Sequence, residues 1–237
     1  MILHYDFHIH SCLSPCGDDE MTPCNIVGMA KLMGLDVIAL TDHNTCLNCP
    51  AVVAAGEREG VLVIPGMELC TAEEAHVVCL FESVEKALAF SEYVEQHSFA
   101  VKNRPEIFGR QLICDENDNV TGEYENLLVT ASDITVSKVE QTVRGFGGVC
   151  YPAHIDRSSY SVVSNLGTIT KEMGFEAAEL SDTADENVMK EKFPVLEKML
   201  ILNSSDAHDL ERLCREAATI ECKEKSISEI LGTISRG

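Results

Sequence analysis

The 237-residue sequence predicts an α/β fold: a barrel of mostly parallel strands with its chemistry gathered at one rim. Three observations carry that expectation. Short β-like runs alternate with helix-like segments, giving about seven or eight βα units. Hydrophobic residues make up 45% of the chain, enough for a sizeable core. Groups of histidine and carboxylate recur at or just past the ends of the β-like runs, where parallel barrels place their active sites.

The first strand, Ile2–Phe7, leads into His8-Ile9-His10. Thr22-Pro23 supplies an N-cap with proline at the first helical position, and Gly34 closes that helix. Asp36–Thr41 is the second strand and passes into Asp42-His43. Asn48 and Pro50 open a helix that ends near Gly60. Val61–Pro65 is the third strand, followed by Gly66-Met67-Glu68, and Ala75–Phe81 is the fourth. Only Leu69–Glu74 separates Glu68 from the fourth strand, whereas a parallel crossover needs about a dozen residues. A hairpin is therefore expected, and it returns His76 to the side of Glu68. A helix over Val84–His97 carries Ala87, Leu88 and Val94 at helical spacing. After it come a helix over Val136–Phe146 and strands at Gly148–Pro152, Phe175–Leu180 and Met199–Asn203. Ala217–Cys222 and a helix over Ile227–Ile234 finish the chain. Residues 98–134 break the alternation and read as an insertion or lid over the rim of a single 1–237 domain. Within it, Gln111–Cys114 and Val120–Glu123 flank a turn at Asp115–Asn119. That acidic turn is no calcium loop, because Val120 and Asn126 stand where glycine and the closing glutamate are required.

The formal net charge of −21 argues against a long nucleic-acid ligand, since duplex binding rests on Lys and Arg neutralising phosphates. Bound metal ions would invert the field locally, so a small anionic substrate stays compatible. No apolar stretch is long enough to span a bilayer, and Met1-Ile2-Leu3 runs at once into His4, Asp6 and His8. The expectation is a soluble cytoplasmic protein with no membrane partner, and eleven cysteines held as thiols. Nothing in the pattern fixes an oligomeric state.

His8, His10, His43, Glu68, His76, His154, Asp206 and His208 are expected to meet at the rim. Mixed imidazole and carboxylate ligands suit divalent first-row metals. His8 and His10, two apart on a strand, point the same way and can face one ion. Asp42 is expected to accept an imidazole N–H and orient a ligand histidine. His4, in mid-strand, and His97, at a helix end, stand outside the set. Cys12, Cys16, Cys46 and Cys49 fall on rim loops, the last two as a CxxC, where a zinc, iron–sulfur or redox site is the lesser alternative to ordinary thiols. Cys79, Cys150 and Cys222 read as buried apolar side chains. Arg157 is a candidate phosphate contact and equally an ordinary surface arginine, as are Arg104 and Arg110.

With His8-Ile9-His10, Thr41-Asp42-His43, Glu68, His76, His154 and Asp206-Ala207-His208 in this order, essentially the whole chain resembles the PHP family, the polymerase-and-histidinol-phosphatase phosphoesterases. The resemblance implies a distorted seven-stranded, TIM-like β/α barrel. Two or three divalent ions, manganese, iron or zinc, would sit at its C-terminal rim. It assigns His8, His10, Glu68 and Asp206 to one ion, with Glu68 bridging to a second held also by His76 and His154. His43 and His208 would hold a third with an acidic residue from the loop after the first strand. That loop departs from the family's Ser-Asp-Gly and Thr/Ser-Pro pattern. Counting back from Thr22 selects Asp18, with Asp19 and Glu20 as the other candidates.

The implied activity is hydrolysis of a small phosphate monoester, such as a nucleotide, sugar phosphate or amino-alcohol phosphate, by a hydroxide bridging two ions. Glu68, Asp206 and Asp42 would form the catalytic set, and Arg157 would bind substrate. The alternatives are phosphodiester or exonuclease action on short oligonucleotides, and a non-catalytic metal- or redox-sensing module. The sequence has neither a Gly-x-Ser-x-Gly elbow nor a Walker loop, which disfavours acyl-serine and P-loop chemistry.

Overall fold

The computed structural model describes residues 1–214 and 217–236, apart from the side chain of Cys214. Strands β1 (Ile2–Ile9), β2 (Val37–Leu40), β3 (Leu62–Cys70) and β4 (His76–Phe81) are joined by helices α1 (Pro23–Leu32) and α2 (Cys49–Glu59) and by the β3–β4 hairpin. Helices α3 (Val84–Gln96) and α4 (Pro105–Phe108) lead to the short strands β5 (Leu112–Cys114) and β6 (Val120–Glu123). The remaining elements are α5 (Val136–Gly145), β7 (Gly148–Pro152), α6 (Val162–Leu166), β8 (Ala177–Leu180), α7 (Glu186–Lys192), β9 (Leu200–Asn203), β10 (Ala218–Glu221) and α8 (Ile227–Ile234).

Among the described residues the main sheet has six strands, in the order β10-β1-β2-β3-β4-β7, and β8 and β9 form a separate parallel pair. This is an α/β architecture, with fewer strands in one continuous sheet than a seven-stranded barrel. The difference has two visible sources. The segment at Ala217–Cys222 pairs antiparallel to β1 as an edge strand, and the β3–β4 hairpin reverses direction in mid-sheet. The segment that follows β9 still meets β1, on the edge that β10 leaves unpaired beyond Tyr5. An isolated parallel bridge joins Ile9 to Ala207, and the His10 N–H donates to the Ala207 carbonyl at 2.9 Å.

Side-chain alternation shows how the sheet curls. Leu3, Tyr5, Phe7, Val37, Ala39, Ile64, Val78, Leu80 and Tyr151 form one buried cluster with Ala177 of β8, Leu202 of β9 and Ile230, Leu231 and Ile234 of α8. A single cluster fed by both sheets and closed by α8 must be the concave interior. The alternate residues Ile38, Leu40, Val63, Met67, Val77, Cys79 and Phe81 join the larger cluster under α1, α2, α3 and α5. On that period-2 rule, Glu68 follows Ile64, His76 precedes Val78 and Glu179 follows Ala177 on the interior side.

Two local devices tune this frame. The β1–β2 register shifts between Asp6 and Ile9, and Ile9 packs with the helix-side cluster whereas Phe7 packs with the interior one. That bulge resets the alternation, so His8 and His10 point inward. At Gly66 the hairpin strands approach so closely that a Cβ would lie 2.7 Å from the Cys79 carbonyl oxygen.

Residues 98–134 double back on themselves, with bridges Ser98–Ser132 and Lys102–Asn126 and the β5–β6 hairpin. Asp115 Oδ1 accepts the N–H groups of Asn117 and Asn119 and so builds the hairpin turn. The segment is tied to the rim through Leu112 N–H to the Cys12 carbonyl and Asn44 Nδ2 to the carbonyls of Leu128 and Thr130.

Candidate metal centre

Glu68 is the centre of the site. Its carboxylate, 1% exposed, lies among five imidazoles. Oε1 is 2.9 Å from His76 Nδ1 and 3.2 Å from both His8 Nε2 and His154 Nε2. Oε2 is 3.0 Å from His43 Nδ1 and 3.4 Å from His10 Nε2. Asp206 faces it, with Oδ1 3.3 Å from His8 Nε2, 3.2 Å from His10 Nε2 and 3.6 Å from His208 Nδ1. Both Asp206 (φ 50°) and His154 (φ 29°) hold left-handed backbone conformations just beyond strands. Such local strain persists where the surrounding structure fixes it.

The structure thus gathers His8, His10, His43, Glu68, His76, His154, Asp206 and His208 into one cluster. Three overlapping groups of donors, His10/His43/His208, His8/His10/Glu68 and His43/Glu68/His76, each have ligand atoms within 4.8 Å of one another. Among the described residues, His8 Nε2, His10 Nε2, His43 Nδ1, His154 Nδ1 and Asp206 Oδ1 are buried without a hydrogen-bond partner. Buried polar atoms left unpaired in this way are costly unless something completes them. The donor set therefore fits divalent cations. Burial alone would raise the Glu68 carboxyl, but attraction to His76, His8 and His43 and a hydrogen bond from His154 bring it well below its usual range. Burial also opposes ionisation of Asp206, yet attraction to His8 and the close His10 ring hold it low. His8, despite the cost of burial, is raised by Glu179, Glu68 and Asp206. His43 is likewise raised to about 10, burial being outweighed by Glu68 and by contacts with Cys16. His10 goes the other way, lowered by burial and by the neighbouring His208 and His43.

Supporting contacts fix which nitrogen each ring offers. Glu179 takes the His8 Nδ1–H with both oxygens, at 3.0 and 3.1 Å, and also accepts the His154 backbone N–H at 3.1 Å. Glu179 is absent from the residues singled out in the sequence. Its signal is a charged residue within the otherwise apolar strand Ala177-Ala178-Glu179-Leu180.

Asp42 acts differently from expectation. It accepts no imidazole N–H directly; its carboxylate takes the hydroxyls of Ser11 and Ser14 and the Ser11 N–H, each at 2.7 Å. The Ser14 oxygen in turn accepts His10 Nδ1–H at 3.0 Å and the His43 backbone N–H at 3.1 Å. One hydroxyl is thereby fully satisfied, and His10 Nε2 is left facing the carboxylates.

Asp18 does not reach the cluster. It is exposed, its carboxylate caps the Glu20 N–H at 2.8 Å, and Asp19 and Glu20 are exposed as well. The same loop brings Cys16 there instead. Burial would raise that thiol, but hydrogen bonds with the His208 and His43 rings lower it to about 6. The other rim cysteines are buried: Cys46 and Cys49 lie against the Gly66 carbonyl, and the Cys12 sulfur is 3.6 Å from that of Cys114. Arg157 pairs with Asp206, Nη1 to Oδ2 at 2.5 Å, and lines an open cleft of about 510 Å³ with Ser158, Ser159, Ser181, Thr183 and Arg212. Arg110 pairs with Glu123, and Arg104 lies over the Phe108 ring. His4 and His97 stand away from the cluster, against Asp36 and Asp133.

The sequence matches the PHP domain family model over residues 6–187. The chain belongs to the PHP domain family. Sequence relatives include an uncharacterized Methanocaldococcus jannaschii protein, 34% identical over 38% of this chain and 58% of its own length. Another is the Salmonella typhimurium 5′-3′ exoribonuclease Rnm, 28% identical over 56% of this chain and 45% of its own. The chain thus spans about half the length of the curated relatives it matches. In fold, this PHP domain is similar to the lesion-specific endonuclease Q of Pyrococcus furiosus, with a TM-score of 0.76 at 21% identity over 99% of this chain and 56% of that one. It is also similar to a putative metal-dependent phosphoesterase from Bifidobacterium adolescentis, with a TM-score of 0.65 at 17% identity over 98% of this chain and 96% of that one.

Proposed function

We propose that this chain is a metal-dependent phosphoester hydrolase acting on small phosphorylated substrates, with two or three divalent ions held on the rim of a TIM-like barrel. The observation that carries the reading is the single buried carboxylate of Glu68 set among five imidazoles, with Asp206 opposite. A carboxylate with donors on both oxygens is suited to bridge two ions. His8, His10 and Asp206 would hold one of them with Glu68, and His76 and His154 the other. The bound ions supply Lewis acidity to phosphoryl oxygens and lower the pKa of a water.

The protein's own groups do the rest. Glu179 holds His8, and the Asp42–Ser14 pair holds His10, so that each presents Nε2 without searching. Asp206, partly engaged by Arg157, is placed to take and return a proton at its carboxylate oxygens. Arg157 borders the cleft beside the cluster and is positioned to contact a phosphate oxygen there. Asp42 is a positioning residue in this scheme, and Asp18 has no part in it.

The net charge of −21 supports a small substrate, because a long polyanion would meet repulsion over many phosphates. A second reading, hydrolysis at the end of a short oligonucleotide, is favoured by the exoribonuclease among the relatives. A panel comprising a nucleoside monophosphate, a short 5′-phosphorylated RNA and a long duplex DNA, run on metal-reconstituted protein, separates the two. Faster phosphate release from the monophosphate supports the first reading, and faster shortening of the RNA supports the second. Turnover of neither rejects both.

A further inference from the structure

The loop after β1 brings a sulfur, rather than the acid expected from the family pattern, to the outermost group of histidines. Ser14 contacts both His10 Nδ1 and the His43 N–H, and the Asp18 N–H donates to the His208 carbonyl at 2.8 Å. Cys16 lies between those two anchors, on a turn closed by the Gly17 N–H to the Ser14 carbonyl at 2.8 Å. The turn is tight: a Cβ at Gly17 would lie 2.4 Å from the Ser11 carbonyl oxygen, so this loop path is specific to the sequence. Cys16 is exposed on one side, and its sulfur lies against the rings of His43 and His208. His10 and His208 stack at 4.1 Å between ring centroids, and His10 and His43 approach to 4.5 Å. The ring nitrogens of all three histidines lie within 4.8 Å of one another, and His10 Nε2, wholly buried, has no hydrogen-bond partner.

We propose that Cys16 is a metal ligand, and that with His43 and His208, beside His10, it forms a nitrogen–sulfur site for a borderline-soft divalent cation such as zinc, cobalt or ferrous iron. This rests on the reading of the rim as a metal centre and adds the chemistry of its outer position. Asp18, Asp19 and Glu20 are exposed, so the residue that this loop offers to the outer histidines is Cys16. Thiolate with imidazole favours zinc, cobalt or iron over magnesium and manganese. On binding, sulfur donates an electron pair to the cation. One proton, from the thiol or from the imidazolium paired with it, passes to solvent, and no electron is transferred.

The test is cobalt(II) titration of the full chain, stripped of metal and kept reduced, with parallel measurement of bound cobalt. Wild type should gain visible ligand-field bands together with a near-ultraviolet thiolate-to-cobalt charge-transfer band. Cys16→Ser should lose the charge-transfer band and keep ligand-field absorption from the histidine–carboxylate sites. Cys16→Asp should restore the bound cobalt without restoring that band, and Cys24→Ser should match wild type. Circular dichroism checks that each variant is folded. As a second readout, zinc should shield Cys16 from alkylation, read by peptide mass spectrometry. A charge-transfer band missing from cobalt-loaded wild type, or persisting in Cys16→Ser, overturns the proposal while leaving the histidine–carboxylate centre intact. Failure to bind cobalt at all overturns both.

Discussion

Glu68 and Glu179 show how differently two buried glutamates can act at one site. Glu68 touches five rings directly, whereas Glu179 touches one and fixes its direction. Glu68→Gln should therefore abolish turnover and remove bound metal, while Glu179→Gln should weaken metal binding by about 10–100-fold, the usual effect of losing a group that orients a ligand. Equilibrium dialysis against a metal buffer measures both, and equal affinity in wild type and Glu179→Gln would refute the assigned role. Protons give an independent check. His8 is shifted upward by Glu179, Glu68 and Asp206, and His43 by Glu68 and Cys16, so the metal-free protein favours protonated rings at both. Ligation requires the neutral ring, so metal binding must expel those protons, and affinity must rise with pH until they are gone. Calorimetric titration in buffers of different ionisation enthalpy should show net proton release on metal binding at pH 7. Proton uptake would contradict the assignment.

At the scale of elements, the ligand histidines were legible because each group follows a β-like run. The β3–β4 hairpin was legible because six residues cannot make a parallel crossover. What stayed hidden depended on pairing partners far away in sequence. The register shift in β1 turns His8 and His10 inward, yet it exists only against β2. The antiparallel course of β10 is set by pairing with β1, more than two hundred residues earlier in the chain. Glu179 becomes meaningful only once β8 is brought beside His8, and Asp18 lost its place because the loop turns at Gly17. Asn48 shows how such distant segments are fastened. Its buried amide donates to Ser11 Oγ and the Leu112 carbonyl and accepts the Cys114 N–H, joining α2, the β1 loop and the β5–β6 hairpin. Asn48→Ala leaves those buried groups unpaired and should cost about 1–3 kcal/mol. Urea denaturation measures this, and an unchanged midpoint would show that the fastening carries no stability.

For the molecule as a whole, the concave interior divides into an apolar floor, sealed by α8, and a polar rim where histidines and carboxylates meet. Metal bound only by the folded state must stabilise it, so chelation should lower the melting temperature and added zinc or manganese should raise it again. Acidic surroundings with a cationic centre should select small anions over long ones. On matched metal and moderate ionic strength, turnover should fall from monophosphate to short RNA to long duplex DNA. Efficient cleavage of duplex DNA with negligible monoester turnover would overturn the substrate claim alone. The central claim is that the Glu68-centred cluster is a metal-dependent hydrolytic site. Phosphate-ester hydrolysis by stripped and metal-reloaded protein, compared between wild type and folded Glu68→Gln, tests it most directly. The predicted result is activity that vanishes on stripping and returns on reloading in wild type, and never returns in Glu68→Gln. Full activity in the stripped protein, or equal activity in the variant, would contradict it.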